Sequence, residues 1–228
     1  MNIRLLYSVF FLLILFSCKK DNTQLDVQDS FEDYTGLKVG AISFYDVTYI
    51  YHDDQLDKHD TVKFKLKSVL EDTFRDNENN LRFKIHRFRW NDTIATWINY
   101  KMLSAYIRRP YYIESEDNVL VKKLLIPYSN NSSWSSNDLN TNDSLIFRYG
   151  SFYPFFKPGM VEIDSVICVK EQLYKTYVDL KRKSEYYSKN KGMVCRVYKD
   201  LKIKKGDTLN VDRGEEWYFS LYQFVKGK

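Results

Sequence analysis

Glycine, proline, cysteine and histidine are all scarce in this chain of 228 residues, at eight, four, three and three. So little Gly and Pro excludes a low-complexity or collagen-like chain. Three His leave few bases for a Ser-His-Asp or Cys-His device. The chain also lacks a Gly-x-Ser-x-Gly elbow and a glycine-rich phosphate loop. No apolar run reaches the roughly 20 residues that a membrane-crossing helix needs. Positive charge is in modest excess, a formal +5, without the dense patch of a nucleic-acid binder. Nucleic acid is not an expected partner.

Aromatic residues are abundant: 19 Tyr and 15 Phe, within an aromatic share of 17%. That usage favours strands over helices. The first stretch, MNIRLLYSVFFLLILFSC, sets Arg4 before an apolar run from Leu5 to Phe16, the layout of a secretory signal peptide. It ends in Leu15-Phe16-Ser17-Cys18, which resembles the lipobox of bacterial lipoproteins. The resemblance implies removal of residues 1–17 and acylation of Cys18. Several acyl chains make a stable membrane anchor where one holds only reversibly. Lys19 directly after the Cys points by analogy to the outer membrane, with the periplasmic face and the cell surface both open. Residues 18–33 read as lipidated Cys and polar tether, and 34–228 as one domain. With Cys18 assigned to lipid, Cys168 and Cys195 remain. They form a disulfide if their strands are neighbours with Cα atoms within ~7 Å; otherwise they are two separately buried thiols.

Alternation of apolar and polar residues marks strands from Ala41 to Tyr51, Thr61 to Leu70 and Leu81 to Trp90, a meander. In the third, Leu81, Phe83 and Ile85 read as inward, and Phe88 and Trp90 reverse the parity, which suggests a β-bulge. Ser129 to Asp143 is a long polar loop carrying Trp134. Leu173 to Lys183 has the spacing of one short helix. The fold expected is all-β: a single antiparallel domain, either a sandwich or a strongly curved half-barrel of about ten strands.

Two stretches carry a family resemblance. Leu66 to Arg89, LKSVLEDTFRDNENNLRFKIHRFR, resembles a strand-turn-strand with an "LKE…DTFTDNEG…YRIERY" pattern. Glu185 to Leu201, EYYSKNKGMVCRVYKDL, resembles a "YYAKGVGLV-K-E" hairpin. Both patterns belong to an uncharacterised lipoprotein family of Bacteroidetes. The likeness runs from Tyr34 to the C-terminus and implies a lipoprotein with an all-β domain. It implies no activity, because that family has none assigned.

No residue stands out as catalytic. His52, Asp53, Asp54, Asp57, His59 and Asp60 crowd one loop but read as an exposed hairpin connection, and no metal or cofactor is assigned. Lys63, Lys65, Lys67, Arg82 and Lys84 form a basic stripe on one sheet face, which calls for acidic neighbours or an anionic partner. Trp134 is the candidate platform for stacking a sugar ring, against the alternative of a core Trp reached by folding the loop back. Five Asp-Ser/Thr-aliphatic triplets, beginning at Asp60, Asp92, Asp143, Asp164 and Asp207, match a short O-glycosylation pattern of Bacteroidetes. The reading is a non-catalytic, outer-membrane-anchored lipoprotein that binds a ligand or an envelope partner. The alternative is a surface glycan-binding lipoprotein that uses exposed aromatics.

Overall fold

Strand-forming Tyr, Phe, Val and Ile dominate the chain, and the computed structural model, which describes residues 32–227, resolves them into one antiparallel sheet. The strands are β1 (Ile42–Asp53), β2 (Lys58–Arg75), β3 (Leu81–Asn91), β4 (Thr96–Arg108), β5 (Tyr111–Glu116), β6 (Val119–Leu125) and β7 (Ser133–Ser135). They continue with β8 (Ile146–Phe156), β9 (Ile163–Glu171), β10 (Tyr174–Lys175), β11 (Asp179–Ser188), β12 (Gly192–Lys204) and β13 (Asp207–Val225). Two 3-10 turns, η1 (Glu32–Thr35) and η2 (Asp54–Leu56), are the helical elements among the described residues. The fold is all-β, as the composition requires, with thirteen strands rather than about ten.

The order across the sheet is β6-β5-β4-β3-β2-β1-β13-β12-β11-β9-β8-β7, with β10 beside β11. Long strands twist and coil, and here the two outer strands come back to meet. The Lys122 backbone N–H of β6 donates to Ser136 O just past β7 at 3.0 Å. Trp134 Nε1 donates to Lys122 O at 2.9 Å. Tyr149 Oη of β8 donates to Leu125 O at 2.5 Å. The sheet is therefore a nearly closed barrel, sealed along one seam by Trp134. These contacts cover edges that would otherwise expose unpaired backbone groups.

Register sorts the side chains into an inner and an outer face. One row across the inner face runs Val47, Phe219, Arg196, Glu185, Val169, Tyr149. Further round, Arg87 lies opposite Lys101 and Leu103 opposite Glu116. The sequence expectation for β3 needs correcting. Phe88 and Trp90 do not reverse parity; they stay on the outer face beside His86, whose ring lies 4.0 Å from that of Phe88. Arg87 and Arg89 take the inward positions. The bulge is real but sits on β4, where the extra residue is Tyr100. Leu173 to Lys183 is not a helix: its first part is β10 and its second opens β11, where Leu180 pairs with Leu201 and packs with it and Ile203.

The chain enters this fold at η1, held against the β11–β12 turn by Asn190 N–H to Asp33 O at 2.8 Å. Gly36 and Gly192 face each other there, at φ of +65° and +75°. A Cβ on Gly36 would sit 2.7 Å from Gly192 N, so neither position tolerates a side chain. We expect Trp134→Ala to cost about 3–5 kcal/mol, the range for removing a large buried aromatic. Chemical denaturation measures it, and an unchanged midpoint would mean that the seam does not stabilise the barrel.

Candidate functional site

The inner face is apolar at the end where the chain enters and polar further in. Ile85, Leu103, Ala105, Tyr112, Leu124 and Tyr187 fill the apolar part with Trp134, Phe147 and Tyr149 from the seam. Above them lies a buried charge network. Glu185 of β11, 1% exposed, takes Lys123 Nζ at 2.6 Å and has Arg196 Nε at 2.9 Å and Lys183 Nζ at 3.7 Å. Tyr187 Oη donates to its other oxygen at 2.6 Å. Burial alone would favour the neutral acid. The three cations outweigh it and hold Glu185 well below the usual carboxylate range. Beside it, Glu116 takes Lys101 at 2.5 Å, with Arg87 Nη1 at 3.7 Å. Lys101 also reaches Asp117 at 2.8 Å. Tyr112 Oη donates to Glu114 at 2.8 Å.

Arg87, Lys101, Lys123, Lys183 and Arg196 thus cluster with the inner carboxylates Glu114, Glu116 and Glu185, with Asp117 on Lys101 and Glu171 near Lys183 as further acids. The crowding of cations has two signatures. Burial, followed by the charge of Lys123, pushes Lys183 down to about 8. Arg87 Nε and Arg196 Nε are buried with no aligned hydrogen-bond acceptor; Arg196 Nε is close to Glu185 but poorly directed. A buried donor without a partner is costly, so each is poised for an acceptor.

Both arginines border a hollow of about 270 Å³, whose other polar walls are Lys101, Glu116 and Lys183. Leu66, Tyr100, Tyr198, Trp217 and Phe219 supply the apolar walls. Trp217 and Phe219 are stacked at 6.3 Å and 25°, and Arg196 lies 5.4 Å over the Phe219 ring. Tyr198 also borders a wider cleft of about 1170 Å³, along the loop from Asn137 to Ile146, at the end opposite the chain entry. A hollow with surplus guanidinium and ammonium groups over aromatic walls can hold an anion with a flat or apolar body.

None of these residues was singled out from sequence. The available signal was phase: Lys183 and Glu185 lie in phase with Tyr187 at inward positions, whereas on β12 a bulge at Val194 breaks the phase between Met193 and Arg196. The residues that were singled out fare differently. Cys18 lies outside the described residues. Cys168 and Cys195 are both free and buried. Each pairs across the ladder with Tyr186, one from β9 and one from β12. A whole strand stands between them, about 9–10 Å at ~4.8 Å per strand, so the disulfide gives way to two separate thiols. Trp134 is 5% exposed, against Phe147 and Tyr149, and offers no face to a sugar. The loop residue His52 turns to Glu216 at 3.1 Å, and His59 lies 3.7 Å from Asp54. The β3 members of the basic stripe find acidic neighbours, while on β2 Lys65 lies over the Tyr222 ring. Arg82 pairs with Asp76 at 2.6 Å and Lys84 with Glu71 at 3.0 Å. Lys67 instead lies over Phe88 at 4.5 Å.

No family model matches the chain, and no curated protein does. Among solved structures it is similar to a candidate lipoprotein of Parabacteroides distasonis, at 12% identity and a TM-score of 0.43. That match covers 84% of this chain and 98% of the other. It is also similar to a candidate exported protein with a YmcC-like fold from Bacteroides fragilis, at 10% identity and a TM-score of 0.44, over 83% and 97%.

Two outcomes follow. Glu185→Gln should destabilise the fold by about 3–5 kcal/mol, because it strands three buried cations; a denaturation midpoint equal to wild type would show that the network is not buried as described. Burial pushes the Cys168 thiol up and Cys195 up to about 12. Neither should react with a maleimide until the chain is unfolded, since the thiolate is the nucleophile. A native mass lower by two hydrogens, restored on reduction, would contradict the free thiols.

Proposed function

We propose that this protein is a non-catalytic envelope lipoprotein, anchored in the outer membrane through Cys18, that binds a small anionic ligand in the hollow of its barrel. The observation that carries the reading is the pair of buried guanidinium nitrogens without an aligned hydrogen-bond acceptor, Arg87 Nε and Arg196 Nε, at the wall of that hollow, where four cations meet one carboxylate. The leader and its lipobox-like end support the anchor. Within the hollow itself, cations lower Glu116 from its ordinary value and hold the adjoining Glu185 well below it, so neither supplies there the protonated acid that glycoside hydrolysis needs.

The glycan-binding alternative loses Trp134 as its platform. An acidic sugar nevertheless belongs to the ligand class, since Trp217 and Phe219 offer a ring face beside the cations. The test is calorimetric titration with phosphate, small carboxylates and a uronic acid. At least one should bind, and Arg87→Gln should weaken it about tenfold or more, the equivalent of one charge-assisted hydrogen bond. Arg87 is the better target because its substitution leaves the Glu185 cluster intact. Affinity should be level below pH 8 and fall above it, as Lys183, titrating at about 8, gives up its charge. Equal binding by wild type and Arg87→Gln, or no binding across the panel, would overturn the reading.

A further inference from the structure

Hairpins of an antiparallel meander turn at alternate ends of the sheet. The β8–β9 turn (157–162) therefore lies at the same end as the β11–β12 turn, where the chain enters. This tip carries an apolar cluster that the fold does not cover. Phe155 is 70% exposed and Met160 95%, with Val161 exposed beside them. The tip is nonetheless held in place. Phe156, from the same hairpin, stacks on Tyr186 at 4.5 Å and 14°. Gly159 lies so close to β13 that a Cβ there would be 2.7 Å from Ser220 Oγ. The backbone is pinned to the sheet while Phe155 and Met160 project from it.

Ladder pairing fixes where the tip stands. Phe155 lies opposite Asp164, and Asp164 bonds Lys191 Nζ at 2.9 Å. Lys191 belongs to the turn whose Asn190 holds Asp33. The exposed cluster is thus a few residues from the point at which residues 1–31 join the fold. Cys18 is fifteen positions from Asp33, and fifteen residues span at most roughly 50 Å. If Cys18 is lipidated, this end of the barrel stays within that distance of the bilayer.

We infer that the β8–β9 tip rests in the interfacial layer of the membrane to which the chain is anchored, as a second contact beside the lipid. The inference rests on the anchoring reading of Cys18 and is independent of the hollow. Phe, Met and Val in a tip that also carries Lys157 suit the boundary between headgroups and acyl chains: the apolar side chains enter it and the ammonium reaches back to phosphate. An orientation follows, because the cleft along residues 137–146 lies at the opposite end, away from the membrane.

Leu209, in the β12–β13 hairpin of that opposite end, is 93% exposed and is a matched control. Nitroxide labels on Met160→Cys and Leu209→Cys would be compared in the lipidated protein in phosphatidylethanolamine–phosphatidylglycerol vesicles; the two native thiols are buried. Relative to the unlipidated chain in buffer, residue 160 should show a several-fold rise in collision with dissolved oxygen over collision with a water-soluble nickel chelate, and residue 209 should show none. A floating, lipidated protein whose residue 160 still meets the nickel chelate freely overturns the inference and leaves the anchor standing. Low access to both reagents at residue 160 marks burial against protein, a second copy or a partner, and also overturns it. A chain that does not float with the vesicles overturns both.

Discussion

The structure depends on one buried carboxylate. Glu185 sits at the centre of the inner face, and Lys123, Lys183 and Arg196 reach it from β6, β11 and β12. β11 and β12 are neighbours, but β6 is the strand at the far edge of the sheet, so the meeting of Lys123 with Glu185 requires the sheet to close on itself. In a low-dielectric interior none of the four charges is tolerable alone. Curvature of the sheet, the seam at Trp134 and neutralisation of the interior are therefore one constraint.

The same constraint leaves a residue of positive charge. An apolar filling would have closed the barrel with less electrostatic cost. Instead four cations, Arg87, Lys101, Lys183 and Arg196, and one carboxylate, Glu116, line a hollow with stacked aromatic walls. A protein that keeps buried guanidinium Nε–H groups without an aligned acceptor is well arranged for an anion to supply it. The two ends of the barrel then have different tasks. The entry end is filled with apolar side chains and presents a pinned apolar tip; the opposite end carries the wide cleft.

Much of the fold could be read from the chain, because strands write their pattern every second residue. The meander of β1 to β3 was legible in Val62, Phe64 and Leu66 against Lys63, Lys65 and Lys67. The errors came where that pattern is ambiguous. Phe88 and Trp90 look like core residues, but they lie outside, covered by Lys67 and by each other's neighbours, while Arg87 and Arg89 point in. Tyr174, Tyr177 and Leu180 imitate helical spacing, yet the strand partners of β11 decide their state. Trp134 could be a platform or a core residue on local grounds alone, and the seam that decides it joins the two opposite edges of the sheet. The hollow was illegible for the same reason. Arg87, Lys101, Lys183 and Arg196 come from four strands, and only closure shows that their charges share one space.

Lys183 reports on that shared charge, so its titration is the most direct measurement. Nitrogen NMR of its side-chain amine should show a midpoint near 8 in the empty protein, and a higher one once an anion occupies the hollow. A midpoint near the ordinary lysine value of ~10.4, unmoved by any anion, would mean that the interior holds no surplus positive charge. The account of the hollow as a binding site would then fail.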